Sequence, residues 1–103
     1  MTNLHQIKNM FILQIEHKIP DFEIWKKAFE TDPINRKKSG VIRYSIFQPV
    51  DDPKYIMINL EFNDLKSAED SLVSLQKLWV KVEGKVMMDP KTRIVQVVET
   101  IEV

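Results

Sequence analysis

Residues 41–62 read Val-Ile-Arg-Tyr-Ser-Ile-Phe-Gln-Pro-Val-Asp-Asp-Pro-Lys-Tyr-Ile-Met-Ile-Asn-Leu-Glu-Phe. Val41 to Gln48 and Tyr55 to Phe62 are β-branched and aromatic runs with alternating polarity, and Pro49-Val50-Asp51-Asp52-Pro53 between them is turn chemistry, so the stretch predicts a hairpin. What flanks the hairpin decides the fold. Upstream, Met10 to Lys18 predicts a first strand, and Phe22, Trp25, Ala28 and Phe29 recur at helical spacing behind Asp21, a side chain suited to cap a first turn. Asp32-Pro33 interrupts that helix into two pieces, and Gly40 closes it. Downstream, Asn63-Asp64 offers a second cap. Leu65, Ala68, Leu72, Leu75, Trp79 and Val82 then trace a helix that stops at Gly84. Met87 to Pro90 reads as a loop, and Arg93 to Val103 as a last strand.

The order βαββαβ is the split pattern of an α+β, ferredoxin-like domain in which both helices cover one face of a four-stranded antiparallel sheet. With 103 residues, one core and one domain are expected, with residues 1–9, including His5, as a frayed lead-in. The period of two places Phe11, Leu13, Ile15, Ile42, Tyr44, Ile46, Ile56, Ile58, Leu60, Phe62, Val95, Val97 and Ile101 under the helices. The other parity holds Ile12, Gln14, Glu16, Arg43, Ser45, Phe47, Tyr55, Met57, Asn59, Glu61, Ile94, Gln96, Val98 and Thr100. Its large apolar members would form a sizeable exposed patch, and burial against a second copy removes it.

Fifteen basic and fifteen acidic residues cancel, so no long-range field gathers nucleic acid or an anionic membrane. Arg36-Lys37-Lys38 is read as cations complementing a helix C-terminus. Cysteine is absent, which removes disulfides and thiolate chemistry and agrees with a cytoplasmic location; no apolar run approaches a membrane span, and no signal-peptide layout is present.

The run His17-x-Ile19-x-Asp21-Phe22-x-x-Trp25-x-x-x-Phe29, with Arg36, Gly40-Val41, Glu61-Phe62 and Ala68, resembles the dimeric α+β barrel superfamily from about residue 10 onward. It is similar in particular to members related to the antibiotic-biosynthesis monooxygenase group. That resemblance implies a homodimer whose sheets close face to face into a barrel, with one pocket per subunit between sheet and helices or inside the barrel. The chemistry it implies is broad: cofactor-independent oxygenases, haem-degrading enzymes, muconolactone isomerases, polyketide cyclases and binding domains. The haem-degrading members carry a histidine on the second helix, and residues 64–84 here contain none.

His17, with Asp21 four residues on, is a candidate general base; equally, it packs on Trp25 or caps the helix. Arg43, Asn59 and Glu61 complete the candidate catalytic set: an arginine for a carboxylate or enolate, an amide for an oxyanion, and a desolvated carboxylate as base. Trp25, Tyr55, Phe47 and Glu16 are candidate substrate-binding residues, although Trp25, Phe22 and Phe29 at helical spacing are also core, and Trp79 leaves room for a pocket wall. Glu16, Arg43 and Glu61 can alternatively satisfy one another as an interfacial network. No metal-ligand spacing and no phosphate-cradling glycine loop is present, so neither a metal nor a nucleotide cofactor is expected. Two readings follow: a dimeric enzyme with oxygenase-type or isomerase-type chemistry on a small aromatic or lactone substrate, or a non-catalytic dimeric binding domain.

Overall fold

In the computed structural model, which describes residues 10–103, six elements follow one another: β1 Phe11–Lys18, α1 Phe22–Glu30, β2 Val41–Phe47, β3 Tyr55–Phe62, α2 Leu65–Val82 and β4 Met88–Gln96. The expected frayed segment 1–9 lies outside the described residues. The strands form one sheet in the order β2-β3-β1-β4, and every pairing is antiparallel, which is the ferredoxin-like arrangement.

Local chemistry sets the helix limits. The Asp21 carboxylate accepts from the Ile24 amide at 2.9 Å, and Asp64 accepts from the Ser67 amide at 2.7 Å, so each cap satisfies an orphan donor of its first turn. After Thr31 the chain turns through Asp32 and Asn35, both at φ 54°, so no second helical piece follows Pro33. Arg36 donates from Nη1 to the Phe29 carbonyl at 3.0 Å, as a cation complementing the end of α1 should. Gly40 has φ 98°, and a Cβ there would meet Ser67 Oγ at 3.0 Å; glycine permits both the turn into β2 and its approach to α2.

The core is a single cluster that joins Leu13, Ile15, Ile56, Ile58, Leu60 and Phe62 of the central strands to Trp25, Ala68 and Trp79 of the helices. Two irregularities shift the expected parity. Between Val41 and Arg43 the β2–β3 register slips by one, so Val41 packs on the core while Ile42 is 51% exposed instead of covered. In β4, Ile94 opposes Leu13, which is fully buried, whereas Val95 opposes Ile12. Ile94 and Gln96 therefore face the helices and Val95 the open side, the reverse of the sequence reading. The strand also begins at Met88 rather than Arg93, because a second register shift opposite His17 absorbs Asp89, at φ 56°, and Pro90. Beyond Gln96, Val97 still donates to the Met10 carbonyl at 2.9 Å, but residues 98–103 are outside the sheet, so the strand does not reach Val103.

Ser71 on α2 is 2% exposed, and its hydroxyl has no hydrogen-bond partner. Ser71→Ala removes an unpaired polar group and adds helix propensity, so it is expected to raise the unfolding free energy by about 1 kcal/mol in denaturant titration. A loss of stability would mean that the hydroxyl is satisfied in solution.

Candidate functional site

The sheet divides the sequence-derived site residues into two groups. His17 shares its face with Leu13 and Ile15, opposes the buried Ile56, and is 2% exposed. It lines a cavity of about 180 Å³ between sheet and helices, together with Trp25, Phe29, Ile58, Trp79 and Met87. The Trp25 ring lies 5.9 Å from the imidazole and stacks on Phe29 at 5.1 Å; Phe29 meets Tyr44 edge-on, and the Arg36 guanidinium sits 4.0 Å above the Phe29 ring. One wall is thus aromatic and capped by a cation.

Nδ1 of His17 lies 3.1 Å from the Lys18 carbonyl oxygen. A carbonyl only accepts, so Nδ1 carries the hydrogen and Nε2 is left as an acceptor. Burial pushes the imidazole pKa below the ordinary histidine value, and the Lys18 hydrogen bond opposes this more weakly. The expected His17–Asp21 pair is not formed: the Asp21 carboxylate is engaged at the start of α1.

Arg43, Asn59, Glu61, Glu16, Tyr55 and Phe47 lie on the opposite, uncovered face. Arg43 holds Glu61 in a bidentate pair, Nε to Oε2 at 3.0 Å and Nη2 to Oε1 at 2.7 Å, which accounts for a glutamate whose side chain is only 12% exposed there. Tyr55 donates to Glu16, and that bond, with some burial, pushes the phenol pKa up to about 12. Asn59 stands between Gln14 and Ser45 in the register, and Phe47 opposes Met57, both side chains open to solvent. The anticipated Glu16–Arg43–Glu61 network is therefore two separate pairs, and the sheet lies between both of them and His17.

Of the cavity lining, Trp25 and Trp79 were legible as aromatic walls, whereas Arg36 and Met87 were not. Arg36 reaches Phe29 seven residues back only because the turn at Asp32 to Asn35 reverses the chain, and no helical spacing announces that. Met87 is 2% exposed: Gly84 donates to its carbonyl at 2.7 Å, closing a tight loop after α2, and the side chain joins the core cluster.

No protein-family model matches the chain, and no curated protein does. Solved structures do. The N63A mutant of SnoaB, a cofactor-independent oxygenase from Streptomyces nogalater, superposes with a TM-score of 0.72 at 7% identity, over 90% of this chain and 97% of that one. A dimeric ferredoxin-like protein from an uncultured marine organism gives 0.67 at 17% identity, over 89% and 98%. A candidate antibiotic biosynthesis monooxygenase from Nitrosomonas europaea gives 0.60 at 18% identity, over 88% and 92%. The chain shares their fold. At these identities the likeness speaks for fold rather than for reaction. Among the described residues, no helix is long and apolar enough to cross a membrane.

Proposed function

We propose that the chain is a cytoplasmic homodimer whose open sheet faces meet, and that each subunit binds a one-ring organic molecule in the cavity beside His17. The carrying observation is a buried, neutral imidazole with Nε2 as acceptor, lining about 180 Å³ walled by Trp25 and Trp79. A cavity on the order of 150 Å³ accommodates benzene, so this volume fits a substituted single ring and is too small for haem or a fused polycycle. The acceptor selects a ligand with an acidic O–H or C–H, such as a phenol, a quinol or a lactone. His17 then serves as the base that receives its proton, and the resulting anion is the form on which oxygenase-type or isomerase-type chemistry proceeds without a bound cofactor. The cofactor-independent oxygenase among the structural neighbours lends the reaction class by analogy of fold.

The open face has a different role in this reading. Arg43 with Glu61 and Tyr55 with Glu16 satisfy their own charges, while Asn59 and Phe47 contribute polar and apolar contact between the two sheets. This pairing favours, as a second reading, a non-catalytic dimer whose polar face fixes register.

Thermal-shift measurement against one-ring phenols, quinols and lactones separates the two. A ligand at a hundred times its Kd raises stability by about 2.7 kcal/mol, a shift of several degrees. The shift is expected to vanish in Ala28→Leu, which fills the cavity from α1, and to weaken in His17→Gln. A shift that survives Ala28→Leu places the ligand elsewhere. Silence across the panel, with a stable dimer, supports the second reading.

A further inference from the structure

Arg36 borders the His17 cavity and also an open groove outside it, shared with Asp32, Lys37 and Tyr44, so its side chain is the wall between the two. That side chain is 14% exposed, and its guanidinium lies 4.0 Å from the Phe29 centroid and 5.0 Å from that of Tyr44. Two rings thus hold the planar fork in place before any ligand arrives. Its own partners occupy only part of it. Nη1 donates to the Phe29 carbonyl at 3.0 Å and Nε lies 3.4 Å from Asp32 Oδ1, while Nη2 has no hydrogen-bond partner among the described residues. Nη2 is not sealed in either: among those residues, the Ser71 hydroxyl is the one fully covered side-chain polar atom left without a partner. A rigid arginine with uncommitted donors that reach open space has the geometry that binds a carboxylate.

His17 and Arg36 stand at opposite ends of one aromatic wall. The imidazole is 5.9 Å from Trp25, Trp25 stacks on Phe29 at 5.1 Å, and the guanidinium covers Phe29. Trp25 and Phe29 are four residues apart on α1, roughly 6 Å of helix rise, which sets an acceptor and a cation about one substituted ring apart. The charge at the mouth agrees. Arg43 is taken up by Glu61, which leaves Arg36 and Lys37 against Asp32 along the groove, a positive excess on a chain whose charges cancel overall.

We propose that the ligand is a one-ring acid, its carboxylate bound by Arg36 at the cavity mouth and its acidic O–H directed to His17 Nε2 at the inner end. A ring with a hydroxyl opposite a carboxylate meets both groups at once. The carboxylate stays beside water, so the ring alone has to be desolvated. The inference rests on the cavity being the binding site, and it narrows the ligand to compounds that carry an anion across the ring from the reacting group.

Isothermal titration calorimetry with 4-hydroxybenzoate, 4-hydroxybenzamide and phenol tests it on the unaltered chain. Charge-assisted hydrogen bonds change Kd by roughly tenfold to a hundredfold, so the acid is expected to bind roughly tenfold tighter, or more, than the amide of the same shape. Equal or weaker binding of the acid overturns the proposal and leaves the cavity as the site. Silence from these compounds overturns the ligand class, and silence from the wider panel of phenols, quinols and lactones overturns the site as well. Arg36→Met keeps an apolar stem against Phe29 and Tyr44 and removes the fork; the preference for acid over amide is expected to vanish while the amide binds as before. Arg36→Lys keeps the charge beside Asp32 without the two-pronged geometry, and should reduce the preference even if the methionine variant does not fold. A preference that survives in both variants, or a weakening of acid, amide and phenol alike, assigns Arg36 to structure alone and overturns its role as the carboxylate site.

Discussion

Trp25→Ala is expected to lower the unfolding free energy by about 3–5 kcal/mol, a large share of the stability of any domain this small. The indole is buried, and it is the hub of the helix-side aromatics: it contacts His17, Phe22 and Phe29 with ring centroids 5.1 to 6.0 Å apart. Removing it forfeits the transfer term and leaves a void against the existing cavity, which the strands beneath cannot collapse to fill. Trp25→Phe keeps a ring in place and should cost less than about 2 kcal/mol. Guanidinium unfolding followed by far-UV circular dichroism at one fixed protein concentration gives the comparison free of tryptophan fluorescence changes and of dimer mass action. A loss below about 1 kcal/mol for the alanine variant would mean that Trp25 lines a solvent-filled pocket and is not core. The two variants also separate roles. If Trp25→Phe retains stability but loses the ligand-induced shift, the indole is a binding wall as well as a packing element.

Most of the fold was legible because its strongest signals are local. Asp21 and Asp64 stand where the helices begin, the Phe22–Trp25–Phe29 and Ala68–Leu72–Leu75–Trp79 stripes have helical period, and β1 and β3 alternate cleanly. What failed was counting through irregular strands. In β2 the slip between Val41 and Arg43 exposes Ile42, and no turn residue in Val-Ile-Arg warns of it. In β4 apolar residues occupy both parities, Ile94 and Val95 then Val97 and Val98, so sequence alone has no way to choose the buried face; the Asp89-Pro90 irregularity chose it. Composition that is truly β-like carries the expected last strand to Val103, but a strand needs a neighbour, and beyond Val97 the described sheet provides none. The site was half legible for a similar reason. Arg43, Asn59 and Glu61 do share a face with Glu16, Tyr55 and Phe47, as alternation requires. The same alternation, carried two residues past Ile15, sets His17 on the opposite face, so a base and its supposed partners were grouped although the sheet lies between them.

Acidification should destabilise the protein through His17, and His17→Gln should flatten the response. Burial disfavours the imidazolium, so the folded-state pKa lies below the unfolded value of 6.5. Below pH 6.5 the unfolded chain therefore binds more protons than the folded one, and stability rises with pH. The contribution is fully present above that value and is lost as pH falls toward and through the folded pKa, with a slope of at most about 1.4 kcal/mol per pH unit for one group. Urea unfolding of both proteins from pH 8 to pH 5 gives a difference curve in which carboxylates, Lys18 and the second histidine of the sequence cancel. A flat difference would show that the imidazole takes up its proton in place, hydrated well enough that burial no longer governs it, and the case for a neutral acceptor in the cavity would fall with it. A sloping difference has a functional corollary of the same sign. The uncharged ring that makes the folded state acid-sensitive is the one whose Nε2 can accept a ligand's proton, so ligand-induced stabilisation should fade as pH falls through the folded-state pKa, at the acid end of the interval in which the wild-type fold weakens.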